Sequence, residues 1–296
     1  MGASLAEASR AARDVFDEVD EALGQNLFRL MREGPDEELK LTENAQPAIM
    51  AHSIAVFRAL TKDGGVELAE AASFVAGHSL GEYSALCAAG SFNLSTAARL
   101  LKLRGRAMQQ AVPVGQGAMA ALLGADLALA QKIADAAAQG EVCTVANDND
   151  PTQVVISGHK GAIDRAIELA REMGAKRALP LPVSAPFHCP LMQPAAEAMA
   201  DALSYVVLEA PAVPLYANVT AQPATDPDAI RTQLVEQVTG MVRWRESVAN
   251  LFDAGVDEFV ELGGKVLGGM VKRIAPEATV TSVVTIEDVE ALAREF

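Results

Sequence analysis

The stretch Phe74-Val75-Ala76-Gly77-His78-Ser79-Leu80-Gly81-Glu82-Tyr83 decides the fold of this chain. It predicts a short apolar strand, a sharp turn with a glycine on either side of Ser79, and then a helix. In that setting Gly-x-Ser-x-Gly is typical of a nucleophile elbow, which lifts the serine hydroxyl clear of the sheet and points helical N–H groups at the reacting carbon. Gly77 and Gly81 are expected to let strand and helix approach where a Cβ would clash. The alternative is a glycine-rich turn with an incidental serine, and the rest of the chain has to decide between the two.

The composition is that of a globular protein. Of the 296 residues, 50% are hydrophobic and 21% are charged, and this length supplies a buried core for one large domain or two smaller ones. The sequence contains no run of about 18 apolar residues, and its N-terminus lacks the basic segment and apolar block of a signal peptide. A soluble cytoplasmic protein is therefore expected.

Cysteine usage and net charge exclude several classes of function. Three widely spaced cysteines, Cys87, Cys143 and Cys189, form no Cys-x-x-Cys pair, which fits a reducing compartment and argues against a disulfide framework or a zinc site. The formal net charge of −15 disfavours nucleic acid and anionic membranes as partners, because like charges repel.

The pattern of apolar runs and breaks divides the chain into two parts. Residues 1–112 and 183–296 are predicted to form a large α/β domain with a mainly parallel sheet of α/β-hydrolase-like character. Residues 113–182 are predicted to form an inserted subdomain with strands at 118–123, 143–145, 153–157 and 176–181 and helices at 127–138 and 161–173. That βαββαβ order is the ferredoxin-like pattern.

Two local features of this layout are assigned from residue type. The turn-forming residues 147–151 are placed in the connection between the two middle strands of the inserted subdomain. Ser95 is assigned as the N-cap of a helix over 96–110.

A serine nucleophile needs a base within hydrogen-bond reach, and histidine is the usual one near neutral pH. The chain has four histidines. His52 lies in an apolar helix, His78 adjoins the nucleophile in a turn whose neighbouring side chains diverge, and His159 lies at a predicted helix start. His188 lies in an irregular loop over 182–194 that prolines punctuate, and catalytic residues concentrate in such loops. We favour His188 as the base and structural roles for the other three.

Arg104 is the second informative residue. It falls on the apolar face of the predicted helix over 96–110, a face formed by Leu100, Leu103, Ala107, Met108 and Ala111. A guanidinium there must find an anion, because an unpaired buried charge is severely destabilising. Two partners are open: an internal carboxylate, or the carboxylate of a substrate held by a bidentate arginine.

The combination of these motifs resembles the malonyl-CoA:acyl carrier protein transacylase family of type II fatty acid synthesis. The resemblance rests on motifs that occur in order along almost the whole chain: Gln46-Pro47-Ala48, the elbow Gly77–Tyr83, Arg104, Gly117-Ala118-Met119-Ala120, the run 153–159, Phe187-His188-Cys189 and the run 263–267.

The resemblance implies a reaction through a covalent intermediate. Ser79 would attack the malonyl thioester of malonyl-CoA with His188 as base, and a main-chain carbonyl, here that of Gln237, would orient the histidine. Arg104 would pair with the free carboxylate of the malonyl group. The phosphopantetheine thiol of acyl carrier protein would then take the acyl group, which predicts ping-pong kinetics.

The resemblance also implies roles for four further residues. The backbone N–H of Leu80 would be an oxyanion-hole donor, and Gln46 would contact the substrate. Phe187, together with Met119, resembles the variants that favour malonyl over bulkier branched acyl groups.

The implied partners are malonyl-CoA and acyl carrier protein, with no metal or redox cofactor, and we expect a monomer. Acyl carrier protein is acidic, so a local basic patch must outweigh the net charge of this chain. Lys176, Arg177, Lys272 and Arg273 are candidates for that patch.

The sequence departs from the family pattern at its start. Family members begin with a strand that ends in a Pro-Gly-Gln-Gly-Ser-type loop, whose glutamine N–H is the second oxyanion donor, and the present sequence opens at the helix that follows. We therefore expect the first family strand to be absent from this chain and the activity to be impaired, since losing one such donor costs about 10²–10³ in rate. A misplaced start codon or a truncated chain is the favoured explanation.

Two other functions compete with the transacylase. A serine esterase or thioesterase of α/β-hydrolase type needs an acid between serine and histidine and an upstream His-Gly-Gly oxyanion loop. Asp148, Asp150 or Asp164 could be the acid, but the loop is missing from the sequence and Arg104 would be unexplained. A degenerate subunit that only binds carrier protein is the other alternative, and the intact Ser79 argues against it.

Overall fold

The computed structural model describes residues 1–183 and 185–296. Ser184, in the loop that prolines punctuate, lies outside the described residues. The helices are α1 (Ala3–Ala8), α2 (Arg10–Leu23), α3 (Leu27–Glu33), α4 (Asp36–Leu39), α5 (Thr42–Lys62), α6 (Leu68–Ala71), α7 (Leu80–Ala88), α8 (Leu94–Ala111), α9 (Leu127–Ala138), α10 (Lys160–Glu172), α11 (Gln193–Ser204), α12 (Pro227–Thr239), α13 (Trp244–Asp253), α14 (Leu267–Ile274) and α15 (Ile286–Ala293). The strands are β1 (Val75–Ala76), β2 (Gly117–Leu123), β3 (Cys143–Asp150), β4 (Gln153–His159), β5 (Arg177–Pro180), β6 (Leu215–Tyr216), β7 (Pro223–Ala224), β8 (Glu258–Leu262) and β9 (Thr279–Val283).

The elbow joins a short mixed sheet to a helix. Strand β1 pairs in parallel with β6, and β6 pairs antiparallel with β7. A second parallel pair, β8 with β9, lies near the C-terminus. The predicted α/β class is confirmed, and the described strands form both parallel and antiparallel pairs.

Helix α8 carries Arg104 into the core. Its N-cap is Asn93, whose Oδ1 accepts a hydrogen bond from the N–H of Thr96 at 2.7 Å. The prediction of Ser95 as the N-cap is wrong, because the helix begins one residue before it and the Ser95 hydroxyl donates to Glu18 instead. Asparagine and serine are both good caps, so residue type alone does not separate the two positions.

A close approach of α8 to α5 brings two predicted site residues together. A Cβ at Gly105 would lie 2.4 Å from the carbonyl oxygen of Thr42, so only glycine permits this spacing. The helices therefore meet near the start of α5, where Gln46 lies beside Arg104.

Residues 117–180 form a separate antiparallel sheet with strand order β3-β4-β2-β5. Along β2 the side chains alternate between its faces. Ala120 and Leu122 pack against α9 and α10, whereas Met119 and Ala121 belong to a cluster on the other face, against which Phe187 packs. This alternation leaves one face of the sheet directed at the rest of the molecule.

The placement of 147–151 in a turn is wrong for most of that segment. Strand β3 continues through Asp150 with register shifts, and the chain reverses at Pro151 and Thr152. Asn147 forms a parallel bridge with Val242. Contacts with a distant part of the chain thus override the local turn preference of asparagine and aspartate.

None of the helices in the described part of the chain combines the length and apolar character needed to cross a membrane.

Candidate active site

Ser79 lies in a strained turn between β1 and α7. Its φ of 53° and ψ of −110° are unusual for a residue other than glycine, and such strain is typical of a nucleophile elbow. A Cβ at Gly77 would lie 1.9 Å from the carbonyl oxygen of Gly81, so glycine is required at position 77. At Gly81 a Cβ would meet nothing within 4 Å, so the expectation of a clash there is wrong.

Asn218, two residues after the end of β6, holds the elbow in place. Its Oδ1 accepts a hydrogen bond from the Ser79 N–H at 2.7 Å, and its Nδ2 donates to the Gly77 carbonyl at 2.8 Å. Asn218 is not among the residues predicted from the sequence. A signal was present, because it follows β6, and the carboxyl ends of parallel neighbouring strands meet at one sheet edge.

His188 lies within hydrogen-bond distance of the nucleophile. The Ser79 Oγ and His188 Nε2 are 2.8 Å apart, and His188 Nδ1 is 2.8 Å from the main-chain oxygen of Gln237. Because a carbonyl only accepts, Nδ1 carries the proton and Nε2 accepts from the serine hydroxyl. The three groups form a chain of hydrogen bonds from the hydroxyl through the imidazole to the carbonyl.

The surroundings of His188 keep its imidazole neutral. Burial and the positive charge of Arg104 lower the pKa of His188 to about 3. An unprotonated Nε2 is therefore available to accept the serine proton throughout the neutral range.

Arg104 is 1% exposed and makes three hydrogen bonds to neutral groups. Its Nη1 donates to Gln46 Oε1 at 2.7 Å, and its Nη2 donates to Gln237 Oε1 at 2.8 Å and to Ser79 Oγ at 3.1 Å. Among the described residues no carboxylate forms an ion pair with it, and its Nε has no hydrogen-bond partner there. The internal salt bridge considered from the sequence is thus not found in the described part of the chain.

Gln237 connects several of these groups, although only its main-chain carbonyl was expected to matter. Its side-chain Nε2 donates to the Ser79 carbonyl oxygen at 3.0 Å and to the carboxyl of Glu82. Glu82 is fully buried and was not identified from the sequence, where it is simply the acid that follows the elbow.

A cavity of about 240 Å³ opens over the serine. It is lined by five of the other predicted site residues: Gln46, Leu80, Arg104, Phe187 and His188. Leu80 is the first residue of α7, and the first N–H groups of a helix have no partner within it. Its N–H is thus suited to a developing oxyanion beside Ser79.

Met119 lies one layer away from this cavity. It lines a neighbouring cavity of about 610 Å³ and belongs to the cluster that packs against Phe187. The two cavities share Lys40, Thr42 and Val183 in their walls, so they adjoin.

The other three histidines make bonds away from the serine. His52 donates from Nδ1 to the Gly263 carbonyl, His78 from Nε2 to Asn149 Oδ1, and His159 Nδ1 accepts from the Val142 N–H.

The acids considered for an esterase triad are engaged elsewhere. Asp148 pairs with Arg245, Asp150 with Arg273 and Asp164 with Lys160, each at 2.6–2.8 Å. Because His188 Nδ1 is bonded to a carbonyl, the geometry does not favour the esterase alternative.

Two of the candidate residues for a basic patch have partners within the chain. Arg273 is held by the buried Asp150, and Lys272 Nζ donates to the Ala278 carbonyl oxygen at 2.5 Å.

A hydrogen-bonded Ser–His pair on an elbow within an α/β fold is the site of an enzyme that forms acyl-serine intermediates. The chain belongs to the family described as "Acyl transferase domain", whose model matches residues 1–267. The family membership expected from the sequence motifs is confirmed.

Three relatives illustrate the activity found within this family. The chain is 45% identical over 284 residues to the malonyl CoA-acyl carrier protein transacylase of Escherichia coli K12, covering 96% of this chain and 91% of the relative. It resembles the crystal structure of acyl-carrier-protein-S-malonyltransferase from Bartonella henselae with a TM-score of 0.97 and 51% identity, over 100% of this chain and 94% of that one. It also resembles a malonyl-transacylase solved in complex with its type II PKS acyl-carrier protein, with a TM-score of 0.96 and 39% identity, over 100% and 95% of the two chains.

Proposed function

We propose that this chain transfers the malonyl group from malonyl-CoA to the phosphopantetheine thiol of acyl carrier protein through a malonyl ester on Ser79. One observation carries the assignment of the acyl group. The buried cation of Arg104 lies 3.1 Å from the nucleophilic oxygen and has no ion pair with a described carboxylate. An acyl group that ends in a carboxylate supplies the missing anion while its carbonyl lies at Ser79.

The first half-reaction forms the ester. His188 Nε2 takes the proton of the Ser79 hydroxyl as Oγ attacks the thioester carbon of malonyl-CoA. The Leu80 N–H stabilises the oxyanion, and the main-chain carbonyl of Gln237 stabilises the imidazolium through Nδ1. When the C–S bond breaks, the imidazolium returns the proton to the leaving CoA thiolate.

The second half-reaction repeats these steps with a different thiol. His188 takes the proton of the phosphopantetheine thiol, the thiolate attacks the ester carbonyl, and the Ser79 alkoxide recovers the proton. Kinetics are therefore ping-pong. The chemistry uses no metal or redox cofactor, since nucleophile, base and charge stabilisation all come from side chains and backbone.

Three residues are assigned to substrate selection. Gln46 accepts a hydrogen bond from Nη1 of Arg104 and lines the cavity, so it orients the guanidinium toward the acyl group. Phe187 narrows the cavity beside His188, and Met119 supports it from the next layer. A bulky branched acyl group would have to displace these side chains.

The carrier protein is assigned as partner by the relatives, one of which was solved with such a protein bound.

We further infer that residues 113–182 are a ferredoxin-like insertion in a large domain of α/β-hydrolase-like character. The strand order β3-β4-β2-β5 and the two helices α9 and α10 support this description.

The proposed contact between Arg104 and the malonyl carboxylate, called the clamp below, is tested by Arg104→Ala. Removing one partner of a buried charge pair costs about 2 kcal/mol or more, so kcat/KM for malonyl-CoA should fall at least about thirtyfold. Acetyl transfer should persist or improve, because acetyl has no carboxylate to bind. Arg106→Ala is the control, since Arg106 lies on the same helix but is exposed and pairs with Glu43. Equal loss for both acyl groups would exclude the clamp.

A further inference from the structure

Gln237 joins the acid–base half of the site to the substrate-binding half. Its main-chain oxygen accepts from His188 Nδ1, and its side-chain Oε1 accepts from Arg104 Nη2, both at 2.8 Å. One residue thus contacts the base and the cation that faces the acyl group. The groups that hold the Gln237 side chain in place therefore also affect the orientation of the Arg104 guanidinium.

The orientation of the Gln237 amide depends on where its NH₂ group finds acceptors. An amide has one accepting and one donating end, and a flip exchanges them. With Oε1 toward Arg104, the NH₂ group donates to the Ser79 carbonyl and to the Glu82 carboxyl. A flipped amide would set its NH₂ group against the donors of Arg104 and its oxygen against the Ser79 carbonyl, which can only accept.

Two side chains offer acceptors to this NH₂ group: Asn218 Oδ1 at 3.3 Å, and Glu82, whose carboxyl lies closer. Glu82 lies one helical turn after the nucleophile and is 0% exposed. Burying a carboxyl away from water costs free energy, and a hydrogen bond inside the protein is needed to offset that cost. For Glu82 that hydrogen bond is the one from Gln237. The Ser79 carbonyl also belongs to the elbow itself and is held at a fixed position, whereas the Glu82 side chain reaches across to Gln237.

The neutral state of Glu82 is compatible with this task. Burial raises the pKa of Glu82 to about 8, so its carboxyl is mostly protonated at neutral pH. The charge of Arg104 is then left for the substrate instead of being balanced by the protein.

We propose that Glu82 is a positioning residue that acts through the Gln237 amide to aim Arg104 at the acid end of the acyl group. The inference rests on the proposed function, because it assigns Glu82 to the malonyl-binding half of the same site. It predicts an effect on the choice between malonyl and acetyl groups that a merely structural residue would not have.

The test compares Glu82→Met with Glu82→Gln. Methionine has a similar shape but no acceptor for Gln237, whereas glutamine keeps a carbonyl acceptor and is uncharged. Glu82→Met should lower kcat/KM for malonyl-CoA about tenfold, mainly through KM, as expected for loss of one hydrogen bond in a charged network. Acetyl transfer should change by less than about threefold. Glu82→Gln should retain the malonyl preference.

Tyr83→Phe is the matched control. Tyr83 is the next residue on the same helix and is equally buried, and its hydroxyl has no hydrogen-bond partner within the described residues. This variant should keep both activities. If Glu82→Met does not fold, as judged by circular dichroism, Glu82→Asp replaces it. That variant withdraws the carboxyl by one methylene, and part of the malonyl preference should be lost.

Several outcomes would overturn the proposal: equal loss of malonyl and acetyl transfer in Glu82→Met or Glu82→Asp, unchanged malonyl transfer in either, or a Glu82→Gln variant as impaired as Glu82→Met. Wild-type protein is assayed in parallel. If it transfers no malonyl group, the proposed function fails. If the wild-type protein transfers the malonyl group but the variants give one of these contradictory outcomes, only the assignment of Glu82 fails.

Discussion

Arg104, which we propose binds the acyl group, also acts on the base. Its positive charge, together with burial, holds the pKa of His188 at about 3. A bound carboxylate would offset that charge and make His188 a stronger base when the substrate is present. In the proposed mechanism the residue that binds the acyl group therefore also adjusts the pKa of the base.

This coupling predicts a pH effect in Arg104→Ala. Without the neighbouring positive charge the imidazolium is less disfavoured, so the pKa of His188 rises, although burial still keeps it below its ordinary value. The base is then protonated at a higher pH, and the acidic limb of kcat/KM for acetyl-CoA should move toward neutrality. The measurement is the pH profile of wild type, Arg104→Ala and Arg106→Ala. Coincident profiles, or a shift to lower pH, would contradict the coupling.

At the residue scale, the site residues that belong to a local sequence pattern could be predicted, whereas those that depend on distant partners could not. Ser79 follows from the spacing of its glycines, and Arg104 from its position on an apolar helix face. Asn218 and Glu82 act through hydrogen bonds that span 139 and 155 residues. The place of Asn218 after β6 indicates the sheet edge but not the bonds it makes, and no periodicity indicates the partner of Glu82, so these contacts become visible only when the chain is folded.

At the scale of elements, the contact between β1 and α7 sets the nucleophile. The strand ends and the helix begins within four residues, so the two backbones nearly touch at Gly77. The side chain of Asn218, just after β6, then holds the peptide groups on both sides of His78, directly before Ser79.

Gly77→Ala should disrupt this contact. Its Cβ would overlap the main chain of Gly81, which cannot move aside as a flexible side chain could. We expect a loss of at least about 2 kcal/mol in the free energy of unfolding, measured by urea denaturation. Gly81→Ala is the control, because its Cβ meets open space in a helix and should leave stability unchanged or raise it by about 0.5–1 kcal/mol. Equal stability of wild type and Gly77→Ala would refute this account of the elbow.

Element boundaries were predictable only where local signals agree with tertiary contacts. The βαββαβ order of 113–182 follows from alternating apolar periods, and the structure has the same order. The end of β3 was missed because Asn147 and its neighbours have turn-forming side chains. In the fold these polar residues find partners in α13, α14 and the elbow, which a local pattern cannot indicate.

At the scale of the whole molecule, the end of β3 fastens the four-stranded sheet to the rest of the protein. Two buried carboxylates pair with arginines at 2.8 Å, Asp148 with Arg245 and Asp150 with Arg273. Between them, Asn149 accepts a hydrogen bond from His78, the residue before the nucleophile. Buried pairs are costly to break, because removing one partner leaves an uncompensated charge. The sheet that supports Phe187 is thus held in fixed relation to Ser79.

The central claim concerns the molecule as a catalyst: Ser79 carries the malonyl group between two thiols. The most direct measurement is the intact mass of the protein after incubation with malonyl-CoA alone, and again after phosphopantetheinylated acyl carrier protein is added. The account predicts a gain of one malonyl group that Ser79→Ala abolishes, and its loss to the carrier protein in the second step. A wild-type protein that gains no mass, or an adduct that persists in Ser79→Ala, would contradict it.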